Sequence, residues 1–181
     1  MKKDIKSIKL ESSMLILRSI TTDDCKQDYL NWLQDPKVNC FLETRWQKQT
    51  INSIYEFIVN IQKDENNYLF AIVDKSTNKH IGNIKLGPIN WRHGIAEISY
   101  FIGDVDFWGK GYATQAISTL TEWGFKKLKL HFVKAGFYQS NIASQKALVK
   151  SGYEFQAIFK NELIAANGVR EDHVWYGKFN Q

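Results

Sequence analysis

The stretch "DFWGKGYATQAI" limits the folds open to this chain more than any other, because two glycines and a lysine separate a strand-like run from a helix-like one. Upstream, "IAEISYFI" (95–102) is apolar and reads as a strand. Downstream, Ala113, Ala116, Ile117 and Leu120 form one apolar stripe, which predicts a helix from about Tyr112 to Leu128, and "LHFVKAGFY" (130–138) follows as a further strand. A strand, a crossover helix and a strand require parallel pairing. A helix that starts on a glycine turn also presents unpaired backbone N–H groups and a partial positive charge, so it is a ready anion site.

Two familiar anion sites do not fit. A nucleotide-binding P-loop needs four residues between its first glycine and a Gly-Lys-Ser/Thr. Here five residues separate Gly103 from Gly109, and Gly111 stands where the hydroxyl should be. A dinucleotide turn needs a third glycine at 114 and a parallel sheet ahead of it; the chain has Thr114 and three strand-like runs with hairpin spacing upstream.

Those runs are "YLFAIV" (68–73), "HIGNIKLGPI" (80–89) and "IAEISYFI", separated by turn formers, and they predict an antiparallel meander. Before them, "MLILRSI" (14–20) reads as a buried strand. Thr21 and Asp24 have capping-box spacing for a helix through about Leu33, stopped near Pro36, and Ile51, Ile54, Ile58 and Ile61 mark an amphipathic helix. After the crossover, Asn141 and Gly152 bound a short helix, and "YEFQAIF" and "VREDHVWYGKF" flank the Asn-Gly signal of a hairpin. The expected architecture is α/β (α+β): one domain over 1–181, with a mixed central sheet, helices on both faces and a C-terminal hairpin.

Composition narrows the function. Cys25 and Cys40 are the only cysteines, so neither a zinc site nor a disulfide framework is readable and no metal is expected. "MKKDIKSIKL" lacks an apolar h-region, and no segment approaches bilayer length, which points to a cytoplasmic protein without a membrane partner. The net charge of +5 favours an acidic ligand weakly. The Lys126, Lys127 and Lys129 cluster reads as a solvated helix end, not a nucleic-acid site.

"WGKGYA" (108–113) resembles the acetyl-CoA turn of the GNAT acetyltransferases, in which Gln or Arg is followed by two residues, Gly, any residue, and Gly or Ala; Gly111 and Ala113 take the small positions and Trp108 departs from Gln or Arg. "WGKGYAT" is similar in particular to the branch that holds the Rim-type ribosomal-protein N-terminal acetyltransferases and amino-sugar N-acetyltransferases. The resemblance runs from "LILRSI" through "NIASQKALVKSGYEF" to the final hairpin. It implies that acetyl-CoA is bound by the backbone around Trp108, Gly109, Lys110, Gly111, Tyr112, Ala113 and Thr114, by the strand end at Phe101 and Ile102, and by Asn141. It also implies that the strand "EISYFI" splays from its parallel neighbour to admit the pantetheine arm.

For the base, Glu97 is a carboxylate in an apolar strand; the alternative is a strand-end Glu facing solvent or paired with Arg92. For the acid, many relatives carry a Tyr seven residues after the capping Asn, where this chain has Leu148. The Rim-type branch offers Ser144 as the thiol-side donor, acting through water or by orienting the sulfur; an ordinary first-turn serine is the alternative. In "CFLETRWQKQT" (40–50), which the resemblance places on the acceptor wall, Arg45 could pair with a phosphate and Trp46 could stack on a base or sugar beside Glu43. The expected acceptor is a small-molecule amine such as a nucleotide-linked amino sugar. A protein N-terminus, a CoA-binding module without catalysis and a homodimeric assembly stay open.

Overall fold

The computed structural model describes residues 8–181. Eight strands form one sheet in the order β1-β2-β3-β4-β5-β6-β8-β7: β1 (Lys9–Glu11), β2 (Leu15–Ser19), β3 (Tyr68–Asp74), β4 (His80–Asn90), β5 (Ile95–Ile102), β6 (Phe132–Tyr138), β7 (Glu154–Ile164) and β8 (Arg170–Phe179). Every neighbouring pair is antiparallel except β5–β6, the pair joined by the crossover helix α4 (Tyr112–Leu128). The meander, the parallel unit and the terminal hairpin are those the sequence predicts, and Gly168 turns the hairpin at φ +81°.

Helices cover both faces. On one, Leu17, Phe70, Ile84 and Ala96 of the sheet pack with Ala116, Ile117 and Leu120 of α4 and Leu148 of α5 (Ile142–Lys150). On the other, Leu69 and Phe101 meet Trp32 and Leu33 of α1 (Gln27–Gln34) and Ile54, Ile58 and Ile61 of α3 (Ile51–Lys63). Strand β3 is buried along its whole length because both of its faces are covered.

The first helix differs from the expected one. Thr21 and Asp24 do form a capping box, but it closes only a 3-10 turn, Thr22–Asp24, and α1 starts afresh at Gln27. Asp24 explains the break. Its carboxylate takes both Arg18 guanidinium bonds (2.6 and 2.8 Å) as well as the Thr21 amide, so this turn is tied to β2 before a longer helix can run on. Pro36 opens α2 (Pro36–Asn39) at its first turn, with Asp35 as the N-cap.

Candidate active site

The glycine turn lies between the end of β5 and α4. A 3-10 turn, Val105–Phe107, leads into it, capped by Asp104, whose side chain accepts from the Asp106 amide. Gly109 (φ +72°) and Gly111 (φ +89°) adopt left-handed conformations, and a Cβ at either would meet no atom within 4 Å, so their faces are open to an approaching group. Gly111 is the N-cap of α4 and no side chain caps the helix, which leaves the first-turn N–H groups of Tyr112, Ala113 and Thr114 without intrahelical acceptors. A pyrophosphate fits this turn, with positive dipole and open approach coinciding. Trp108 bends back, its indole Nε1 donating to the Ile102 carbonyl at 2.7 Å, and so ties the turn to the strand end. Lys110 is exposed beside the Phe107 ring.

The first turn of α4 is anchored twice, by side-chain contacts that sequence reasoning missed. Tyr112 donates its hydroxyl to Asp74 Oδ1 at 2.6 Å, and Gln115 bonds Ser12, Ser13 and the Met14 amide across the β1–β2 turn. Asp74 also accepts from Ser76 Oγ, Thr77 Oγ1 and the Thr77 amide. These donors, Ser76 first, hold its carboxyl below the usual carboxylate range, and the same carboxylate pushes the Tyr112 phenol up to about 12. Only the tyrosine of "WGKGYA" hinted at an anchor, because its partner is 38 residues away in the chain.

Beside the turn the sheet opens. The β5–β6 ladder consists of Ile95↔Phe132, Ala96↔Val133 and Glu97↔Lys134 and goes no further. Strand β5 continues along β4 to Ile102, while β6 continues along β8 to Tyr138, so the two parallel strands part after Glu97 and Lys134. The expected splay of "EISYFI" is therefore present, with Phe101 and Ile102 on the free stretch.

Glu97 sits on the last pair before the opening. Its partner is Lys134, at 3.2 Å, and not the Arg92 of the alternative reading, and its side chain is 40% exposed, so the apolar surroundings expected for a base are absent. An ion pair this exposed contributes at most about 1 kcal/mol. Lys134 also lies 4.3 Å over the Trp175 ring.

On the opposite wall, Asn141 caps α5 and accepts from the Ser144 amide at 3.1 Å. Gly152 ends that helix at φ +81°, with Tyr153 N–H on the Leu148 carbonyl and Gly152 N–H on that of Val149. Leu148 is fully buried. Ser144 Oγ is 2.7 Å from the hydroxyl of Tyr100, a residue of β5's free stretch that sequence reasoning passed over.

The acceptor loop departs from expectation at Arg45. One of its Nη groups donates to Tyr138 Oη and the Ile164 carbonyl, each at 2.7 Å, and the other to the Leu42 carbonyl; the side chain is 6% exposed. These Nη groups fasten the 3-10 turn Glu43–Trp46 to β6 and β7 and are not free for a phosphate. Tyr138 in turn donates to Glu43, whose carboxylate faces solvent. Trp46 is 53% exposed, with the Arg45 guanidinium 4.4 Å from its ring, so it belongs to the surface and not to the core.

Next to the parting strands lies a hollow of about 490 Å³ lined by Phe132, Lys134, Phe159, Glu162, His173 and Trp175, among others. Two glycines make room for its rings: a Cβ on Gly136 would meet His173 Nε2 at 2.3 Å, and one on Gly177 would meet the Phe132 ring at 2.2 Å. The aromatic rings therefore lie close against the backbone. His173 Nδ1 and Glu162 pair at 2.5 Å along one side.

Residues 14–154 match the family model for the acetyltransferase (GNAT) domain. The chain belongs to the GNAT acetyltransferase family. It is similar to "Probable N-acetyltransferase YjcK" of Bacillus subtilis (strain 168), 35% identical over 121 residues that make up 66% of this chain and 65% of that protein. In fold, this GNAT enzyme is similar to the ribosomal-protein-S5-alanine acetyltransferase of Vibrio fischeri (TM-score 0.81, 23% identity, 97% of this chain and 98% of that one). It is also similar to the spermidine N-acetyltransferase of Vibrio cholerae in complex with CoA and spermine (TM-score 0.81, 20% identity, 93% and 96%). Both likenesses are likenesses of fold. Among the described residues, no helix is long and apolar enough to cross a membrane.

Proposed function

We propose that this GNAT enzyme moves the acetyl group of acetyl-CoA directly to the primary amine of a small molecule. The observation that carries the reading is the parting of β5 from β6 after Glu97 and Lys134, alongside an uncapped helix start flanked by two open glycines. The pyrophosphate lies on the 108–114 amides, and the pantetheine enters the opening along Phe101 and Ile102 with Asn141 at its far wall. Free N–H groups of β5 polarise the thioester carbonyl. Glu97, on the edge of the opening, takes the amine's proton directly or through water, and Ser144 serves the sulfur side.

The acceptor class that suits the open face is an amino sugar. Rings laid against the sheet offer a flat floor for the apolar side of a sugar, and Lys134, Glu162 and His173 offer polar contacts at its edge. With the Nη groups of Arg45 committed within the protein, a nucleotide-linked acceptor would have to place its phosphates against Lys134 or His173. A protein N-terminus is the second reading, favoured by the solvent-facing carboxylate of Glu43, which suits a protonated amine.

Thiol release from acetyl-CoA, measured against glucosamine, UDP-glucosamine, spermidine and an alanine-starting peptide, tests the proposal. The amino sugars should give the highest kcat/KM. A preference for the peptide would move the assignment to the second reading, and release with none of the four would remove the small-amine proposal.

A further inference from the structure

The departing sulfur needs a hydrogen-bond donor, and the helix position at which a phenol would be expected holds the fully buried Leu148. A phenol stands instead on the facing strand. Tyr100 lies three residues beyond the last β5–β6 pair, and Ser144 is in the first turn of the helix that follows β6, so their 2.7 Å bond joins the two sides of the opening. Among the described residues, Tyr100 is the only hydrogen-bond partner of Ser144 Oγ; the contact from Tyr100 Oη to the Ser144 carbonyl is longer, at 3.3 Å.

We infer that Tyr100 is a positioning residue for the leaving group: its hydroxyl donates to Ser144 Oγ and thereby turns the Ser144 hydrogen towards the sulfur of acetyl-CoA. The inference rests on the acetyl-transfer reading above. As the amine nitrogen bonds to the carbonyl carbon and the C–S bond breaks, the electron pair moves to sulfur and the Ser144 O–H hydrogen-bonds to the negative charge that develops there. The amine gives up one proton to Glu97 or water and the thiolate takes one from water, so acetyl-CoA and amine become amide and CoA thiol. Burial pushes the Tyr100 phenol up to about 12, against the pull of the Ser144 bond, so at neutral pH it is a donor and not a phenolate. A donor bonded to a second donor strengthens it, which is the use of a phenol at one remove from the sulfur. The Ser144 backbone is already held by Asn141, so the side-chain hydrogen is the freedom that Tyr100 removes.

Tyr100→Phe keeps the ring and its packing, so the fold is expected to survive. With hydroxylamine as the acceptor, the variant should lower kcat about 10-fold and leave the calorimetric Kd for acetyl-CoA and the thermal midpoint where they are. Ser144→Ala should cost about 100-fold, the scale of a lost charge-stabilising donor. The decisive comparison is Tyr100→Phe made in the Ser144→Ala background: because Tyr100 acts through Ser144, the second change should have no further effect. An equal 10-fold loss in both backgrounds, or an unchanged kcat in the single variant, would overturn the inference while leaving the acetyl-transfer reading intact. Wild-type protein that binds acetyl-CoA but releases no thiol to hydroxylamine would overturn it too, and failure to bind acetyl-CoA would remove the reading on which it stands.

Discussion

The hydroxyl of Tyr112 lies 2.6 Å from the carboxylate of Asp74, so the first residue of the crossover helix is fastened to the last residue of β3. Asp74 is 1% exposed and gathers hydrogen bonds from three side chains and one amide. This clamp sets the position of the first-turn amides of α4, which the proposed function assigns to the cofactor.

Tyr112→Phe should therefore weaken acetyl-CoA binding several-fold, while kcat at saturating acetyl-CoA changes little. Asp74→Ala, which strands several donors, should cost about 2–3 kcal/mol of stability. Calorimetry and denaturant unfolding measure the two effects. Equal acetyl-CoA affinity in Tyr112→Phe and the wild type would show that the clamp does not position the turn.

Gly111 carries φ +89° with open space where a Cβ would stand. Gly111→Ala should thus cost about 1–2 kcal/mol through backbone strain alone. Gly111→Trp should also abolish acetyl-CoA binding by filling the approach to the amides, and circular dichroism should show the fold retained. Binding that survives the tryptophan would take the turn out of the mechanism.

Glu97→Gln should leave acetyl-CoA affinity unchanged and lower turnover across a pH series. Lys134→Met, which removes the cation 3.2 Å away, should leave cofactor binding unchanged. Unchanged turnover in the glutamine variant at every pH would remove Glu97 as the base.

Half-buried His80 is the group by which acid should first loosen the fold. Desolvation holds its pKa below the usual 6.5, outweighing the Asn83 bond and the Asp24 carboxylate 3.8 Å away. A histidine depressed in the folded state binds protons more readily when unfolded, so its contribution is whole above about pH 6.5 and falls away as the pH drops below that value. Asp24 adds a loss with the same sign at lower pH: burial raises its pKa, but the Arg18 and Thr21 bonds leave it lower than usual. The thermal midpoint should fall between pH 6.5 and 5 in the wild type and less in His80→Gln. Parallel curves would assign the acid sensitivity elsewhere.

The elements that share a local pattern were legible in the sequence. The isoleucine period of α3, the stripe of α4, the Asn141 cap and the Gly152 stop each depend on residues close in the chain, and each is present. Features that depend on distant partners were not. Nothing near Arg45 announces Tyr138 and Ile164, and Tyr100 reads as one more apolar strand residue until α5 folds over it. The glycines followed the same division. Gly111 was visible as a turn residue, whereas Gly136 and Gly177 matter only because rings from neighbouring strands lie on them.

Calorimetric titration of the wild-type protein with acetyl-CoA, with ATP and NADH as controls, tests most directly whether the 108–114 turn and the β5–β6 opening together hold acetyl-CoA. Saturable binding of acetyl-CoA at one site per chain, with no heat from either control, is the predicted result. No binding of acetyl-CoA, or binding of all three with equal affinity, would contradict it.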